Sequence, residues 1–224
     1  MSPLRNRVLV VEDNDFTRAT LCGALRGAGI DVVGDTASAA EAINLAAQLR
    51  PDAALLDLDL GRGPSGIDLA VALRRTLTRI GVVILTSYED PRLTGRNVDH
   101  LPPASQYLVK ADLRDTDALV LSIERAVNLA HHPRRDEITG LPPVRGEIAG
   151  LSDAQVEVMR LVAEGRTNAD IARQRDISAA SVERTILAIA RELGLDAGEG
   201  TNRRVLIARA YLRLSGAEHA HDDV

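Results

Sequence analysis

Hydrophobic and polar positions follow two regimes along this chain. Through the first 130 residues, short apolar runs alternate with stretches of helical spacing. Arg7 to Val11 reads as a strand ending in Glu12-Asp13, and Phe16, Ala19, Ala24 and Leu25 supply a helical stripe that stops near Gly27 and Gly29. Asp31 to Gly34 is a second strand, and Ala39 to Leu49 a helix ending before Pro51. Ala53 to Leu58 is a third strand, closed by the turn Gly61-Arg62-Gly63-Pro64. Ile67 to Leu77 (helix), Val82 to Thr86 and Gln106 to Val109 (strands) and Arg114 to Leu129 (helix) complete the series. This alternation predicts an α/β, doubly wound, five-stranded parallel sheet covered on both faces. Ligands of such a sheet bind beyond the carboxyl ends of its strands.

Residues 131–150 read as a linker, broken by Pro133, Gly140, Pro142, Pro143, Gly146 and Gly150. From Leu151 the spacing is helical throughout, which predicts a small all-α domain over 151–214. Ser152 with Gln155 makes a capping box for a helix through Glu164, and a short helix follows from Asn168 to Gln174. Ser178 caps a longer helix ending at Gly194, and Asn202 to Leu214 is a fourth. The tail, residues 215–224, is small and polar and is expected to be disordered.

Composition narrows the class. Aromatics make up 2% of the chain, so helices on a parallel sheet suit it better than a β-sandwich. The single cysteine, Cys22, excludes an internal disulfide and falls in a helical apolar pattern, as a small core residue would. No signal-peptide core precedes Arg7 and no apolar run approaches a membrane span, so a soluble, cytoplasmic protein is expected. The net charge of −5 does not advertise nucleic acid, and residues 151–215 are near neutral, with 10 Lys/Arg against 9 Asp/Glu.

Lysine is the exception in a chain of 27 basic residues. Lys110, after Tyr107-Leu108-Val109, stands alone among arginines. An Arg-for-Lys drift is harmless where only charge counts, but fails where a compact ammonium on a thin stem is needed. Carboxylates fall at the same kind of place: Glu12 and Asp13 after the first strand, Asp57 ending the third, Asp59 just beyond. If strands one and three are neighbours, Glu12, Asp13 and Asp57 converge. Such a group repels itself unless one member is protonated or a cation is bound, and hard oxygen ligands favour Mg²⁺. Thr86 ends the fourth strand, adding a hydroxyl. The set suits phosphoryl transfer to Asp57, with Lys110 and a metal neutralising phosphoryl oxygens.

On these residues the first 130 positions resemble the receiver domain, a flavodoxin-like fold, of bacterial two-component response regulators. The matching segments are V-L-V-V-E-D-N, A-L-L-D-L-D-L, V-V-I-L-T-S and Y-L-V-K. The resemblance implies Asp57 as phosphoacceptor, and Asp13, Asp57 and the backbone carbonyl of Asp59 as Mg²⁺ ligands. Glu12 would act on the metal through water. Thr86 would be the switch hydroxyl, Tyr107 the switch aromatic and Lys110 the phosphate-binding lysine. A sensor histidine kinase is the implied phosphoryl source. Two departures stand out. Ala111 follows the lysine where the family often has proline, so a cis bond there would cost several kcal/mol. Gly95, Pro102 and Pro103 interrupt 89–105, so the family's fourth helix is expected to be short or irregular, which bears on the usual signalling face.

Residues 151–213 resemble the LuxR-type helix-turn-helix of the NarL/FixJ regulators, through L-S-D-A-Q-V-E-V-M-R-L-V-A-E-G-R-T-N-A-D-I-A, I-S-A-A-S-V-E-R-T-I and R-E-L-G. The resemblance implies a recognition helix from Ala179 to Leu193, entering the major groove of double-stranded DNA. It also implies a dimerisation helix over Asn202 to Leu214, hence a homodimer. Candidate DNA contacts are Arg184, Ser181, Thr185, Arg166, Arg173 and Arg203, with Arg204 beside them. Arg184 suits guanine, which arginine reads through two hydrogen bonds. Ala169, Ala180 and Glu183 stand where the family commonly has lysines, so few phosphate contacts and a shallow salt dependence are expected.

The expected function is a phosphorylation-controlled, DNA-binding transcription regulator, without enzymatic turnover of a separate substrate. The alternative is a receiver-controlled interaction protein whose helical domain docks a protein and binds DNA weakly or not at all. A haloacid-dehalogenase-type phosphatase, suggested by the D-x-D of Asp57-Leu58-Asp59, fits less well, because nothing in that chemistry accounts for Glu12-Asp13.

Overall fold

A computed structural model describes residues 6–61, 63–88, 90–95, 101–113, 115–132, 147–195 and 202–215. They form two compact units. The first takes the described residues of 6–86 and 101–132, the second those of 87–95 and 147–215.

The first unit is a five-stranded parallel sheet in the order β2-β1-β3-β4-β5. Its strands are β1 (Arg7–Val11), β2 (Asp31–Thr36), β3 (Ala53–Asp57), β4 (Gly81–Thr86) and β5 (Gln106–Val109). Every residue of β3 and β4 is buried, as continuous apolar runs between two helical layers require. The edge strand β5 alternates instead, with Tyr107 and Val109 buried. The covering helices are α1 (Asp15–Gly27), α2 (Ala39–Leu49), α3 (Gly66–Thr76) and α4 (Thr116–His131). Side chains cap each N-terminus: Asn14, Ser38, Ser65 and Asp115.

The α1 stripe differs from expectation. Phe16 is 82% exposed, whereas Cys22 and Leu25 are buried. The inward row is Arg18, Leu21, Cys22 and Leu25, spaced three and four apart, and the charge of Arg18 conceals it in the sequence. The fourth helix is expected to be short or irregular, and residues 96–100 of its stretch lie outside the described residues. Between β4 and β5 the described residues form only a 3-10 turn, Pro91–Thr94, ended by Gly95 in a left-handed conformation. Lys110–Asp112 makes another 3-10 turn, and no cis peptide bond occurs among the described residues.

The second unit holds α5 (Asp153–Ala163), α6 (Asn168–Arg175), α7 (Ala179–Glu192) and α8 (Arg203–Leu214). The Ser152–Gln155 capping box forms as the spacing predicts, and Thr167 with Asp170 makes a second one at α6. Asp176, at φ 53°, ends α6 in a left-handed turn, and Ser178 caps α7. Val182, Ile186 and Ile189 of α7 are buried against Val156, Met159 and Val162 of α5, Ile171 of α6 and Ile207 of α8. Each such side chain contributes about 1.5–3 kcal/mol by leaving water. Most of the expected linker (133–146) and the tail from 216 lie outside the described residues. No described helix is long and apolar enough to cross a membrane.

Candidate functional site

Strand register builds the acidic edge. Val11 pairs with Leu56, so the next positions on the two strands are Glu12 and Asp57. Asp57 pairs with Leu85, and Thr86 with Val109. Lys110 is therefore one step beyond Thr86, and the strand-end residues Glu12, Asp57, Thr86 and Lys110 share one edge. Carboxylate oxygens of Glu12, Asp13 and Asp57 lie within 4.8 Å of one another. Glu12 and Asp57 are buried while Asp13 is exposed, so the cluster opens to solvent on one side. The Asp59 side chain is exposed and outside this cluster.

Lys110 ties the cluster together. Its Nζ donates to Glu12 Oε2 at 2.8 Å and to Asp57 Oδ2 at 3.2 Å. Burial raises the Asp57 carboxyl to about 7, helped by the Glu12 charge and opposed by Lys110. Burial works against the ammonium, yet Asp57 and Glu12 outweigh it and hold Lys110 above its usual range. Hard oxygen donors with one open side fit a small divalent cation, and a cation there would relieve the repulsion between carboxylates. Thr86 is 1% and Tyr107 5% exposed, on adjacent strands.

Two positioning features were not foreseen. Arg18 donates to the Glu12 backbone carbonyl at 2.7 Å while pairing with Asp15 at 2.5 Å and Asp35 at 3.4 Å. It thereby pins the segment that carries Glu12 and Asp13 to α1 and to β2. Gly66 opens α3 so close to β3 that a Cβ would lie 2.1 Å from the Asp57 carbonyl oxygen. Its N–H donates to Leu58 O at 3.0 Å, and Ser65 with Asp68 caps the helix, so α3 clamps the backbone of the phosphoacceptor candidate. Arg18 was hidden because an arginine at that spacing reads as solvated surface; Gly66 because close approach leaves no mark in the sequence.

In the second unit, Arg184, Glu183 and Ala180 are exposed on the N-terminal half of α7. Arg184 is steadied by Ser181, its Nη2 donating to Ser181 Oγ at 2.9 Å. Thr185 spends its hydroxyl on the Ser181 carbonyl, at 2.9 Å within the helix. Arg166 and Arg203 are exposed, and Arg173 is exposed but paired with Asp170. Arg204 donates to Asn168 Oδ1 at 2.6 Å and to the Arg166 carbonyl, which binds α8 to the start of α6.

Comparison with known proteins agrees with this geometry. Residues 8–121 match the response regulator receiver domain, and 149–197 the luxR family of bacterial regulatory proteins. The chain is 28% identical over 215 residues to the transcriptional regulatory protein LiaR of Bacillus subtilis (strain 168), covering 92% of this chain and 98% of that one. It is 29% identical over 203 residues to the DNA-binding transcriptional activator DevR/DosR of Mycobacterium tuberculosis, covering 85% and 89%. The receiver domain of a modulated diguanylate cyclase from Desulfovibrio desulfuricans G20 is 32% identical, with a TM-score of 0.51 over 58% of this chain and 99% of that one. RcsB, solved as dimers bound to DNA, shares the fold at 18% identity and a TM-score of 0.56, over 94% of this chain and 98% of that one. The chain belongs to the response regulators that act on transcription, with a receiver domain followed by a LuxR-type helix-turn-helix domain.

Proposed function

We propose that Asp57 accepts a phosphoryl group from a sensor histidine kinase and that this event controls how the helix-turn-helix domain, as a homodimer, engages double-stranded DNA. The observation that carries the reading is Lys110 Nζ bridging Glu12 and Asp57 at 2.8 and 3.2 Å, on the edge where the register also places Thr86. An Asp57 oxygen attacks phosphorus, the new O–P bond replaces the donor's N–P bond, and the departing imidazole keeps the electron pair. Lys110 is placed to exchange part of its contact with Asp57 for a phosphoryl oxygen, and Glu12 retains the ammonium meanwhile. Mg²⁺, held by Asp13, Asp57 and the Asp59 carbonyl with Glu12 acting through water, would neutralise phosphoryl charge when bound. Thr86 and Tyr107 are the residues proposed to report the change, because Thr86 ends β4, the strand next to Asp57, and Tyr107 is buried on β5, the strand beyond it. A phosphoryl group adds nearly two negative charges and three acceptor oxygens, enough to bias a two-state element.

On the DNA side the proposed contacts are Arg184 and Ser181 on the recognition helix α7, with Arg166, Arg173 and Arg203 around it and Thr185 beside them. A second reading has a specific support of its own. Glu183 is exposed beside Arg184, Arg173 is paired with Asp170, and Arg204 is turned inward. Each lowers the positive charge available to phosphates, as a protein-docking domain would tolerate. Sequencing of genomic fragments retained by the purified protein, with and without Mg²⁺ and beryllofluoride, separates the two. A two-fold motif enriched with beryllofluoride is expected; no motif in either state, with the protein folded, would favour the docking reading.

A further inference from the structure

The helical unit contains residues that precede it in the chain by more than fifty positions. Leu93 is fully buried in the same apolar cluster as Ile148, Leu151, Met159 and Leu214, and Tyr88 packs against that cluster. The Asp90 side chain is completely buried, and Arg92 meets it with a forked pair, Nε at 3.0 Å and Nη2 at 2.8 Å. A buried carboxylate persists only with such compensation. The same guanidinium donates to Ile148 O at 2.9 Å and Leu151 O at 2.5 Å, in the turn that leads into α5. Tyr211, on α8, donates its hydroxyl to Leu93 O at 2.5 Å. Gly95 closes the segment at φ +64°, where a Cβ would lie 2.6 Å from Arg160 Cδ of α5. These attachments fall within eight residues and touch α5, the turn before it and α8.

We propose that residues 88 and 90–95 form an integral strap of the helical unit, and that a change at Thr86 enters the DNA-binding fold through it. The strap rests on the reading of Asp57 as phosphoacceptor. Three residues separate Thr86 from the anchored Asp90, and an extended residue spans at most about 3.6 Å, so the tether between them can never exceed about 14 Å. A phosphoryl group on Asp57 brings acceptor oxygens to the edge where Thr86 ends β4. Reorientation of Thr86 toward them displaces Ser87 and loads the Asp90–Arg92–Leu93 anchor. The helices that feel it are the two the anchor touches, α5 and α8.

Hydrogen exchange on the full-length chain tests this, comparing wild type with Arg92→Ala and Leu93→Ala, each with and without Mg²⁺ and beryllofluoride. Both substitutions should raise exchange in α5 and α8 by about tenfold or more and leave β1 and β3 unchanged. Beryllofluoride should alter α5 and α8 in the wild type and lose that effect in the variants. Faster exchange confined to β4 and β5 would overturn the strap, since the segment would then belong to the sheet. Protection at 57–61 with an equal α5 and α8 response in all three proteins would overturn it too, leaving the phosphoacceptor intact. Absent protection at 57–61, the phosphoacceptor reading itself fails, and the strap's signalling role with it. Should Leu93→Ala not fold, Tyr211→Phe removes only one hydroxyl and supports the same comparison.

Discussion

Lys110 Nζ reaches Asp57 Oδ2 at 3.2 Å although their strands are not neighbours. β4 lies between them, and its last residue is Thr86, so the ammonium spans the end of a strand to arrive at the carboxylate. A long thin stem does this; a planar guanidinium fits the space poorly. That geometry gives the surviving lysine of an arginine-rich chain a physical reason.

Replacing Lys110 tests it directly. Lys110→Met should slow phosphorylation of Asp57 by a small-molecule donor by about 10²-fold, since one preorganised cation at developing phosphoryl charge is lost. The change is read as phosphoryl incorporation by intact mass. Metal-free, the variant should also lose about 1–3 kcal/mol of stability near neutral pH, because two buried carboxyl groups are left without their hydrogen-bond donor. Lys110→Arg should recover little of the phosphorylation rate; full recovery would show that charge alone is required.

Asp57 makes the metal-free fold sensitive to pH. Its carboxyl is raised to about 7 by burial, whereas an unfolded aspartate titrates near ~3.9. Between those values the folded chain binds a proton that the unfolded chain has released, so stability falls as pH rises. The contribution is whole below about pH 4 and gone above about pH 7. Urea denaturation without Mg²⁺ should therefore show less stability at about pH 8 than at about pH 5 from this group. Asp57→Asn should flatten that slope and gain about 1–3 kcal/mol at the higher pH. An unchanged slope in Asp57→Asn would place the titrating group elsewhere.

Much of this was legible in the sequence, for local reasons. The strands of the buried sheet are apolar runs with nothing else to be, and the Ser152–Gln155 and Ser178 caps declare themselves within four residues. The acidic edge was legible as soon as strands one and three were taken as neighbours. What stayed hidden is tertiary. Phe16 and Ala19 offered a false inward stripe, because the true one begins with a charged residue, Arg18. Nothing local marks Leu93 as core of a helical unit that starts more than fifty residues later. Asp90 and Arg92 look like an ordinary solvated pair until burial shows otherwise.

Arg18 should prove a positioning residue for the cation site. Its bond to the Glu12 carbonyl fixes the peptide leading to Asp13, and its ion pairs go to Asp15 and Asp35 rather than to the carboxylates of the cluster. Arg18→Ala is expected to weaken Mg²⁺ binding several-fold by calorimetry, with the phosphorylation rate recovering at saturating Mg²⁺. Asp13→Asn, in contrast, should not recover at any accessible concentration. Equal Mg²⁺ affinity in Arg18→Ala and wild type would reduce Arg18 to a link among Asp15, Asp35 and α1.

If α7 enters the groove, added lysines should strengthen a DNA interface that Ala169, Ala180 and Glu183 are expected to leave short of phosphate contacts. Glu183 is exposed next to Arg184, and Ala180 lies one turn earlier on the same helix. Each phosphate newly neutralised releases a counterion, so log affinity against log salt should steepen by about one unit per added contact. Glu183→Lys also removes a repulsive charge, so its effect should exceed that of Ala180→Lys. Fluorescence anisotropy on a fragment recovered by genomic selection, repeated across salt concentrations, reads both slope and affinity. Arg184→Ala should instead relax discrimination among sequences, at about 1–3 kcal/mol for the base it reads. If the lysine variants leave slope and affinity unchanged, positions 180 and 183 do not face phosphates. The helical domain would then be a docking surface for protein, and Glu183 part of what the partner recognises.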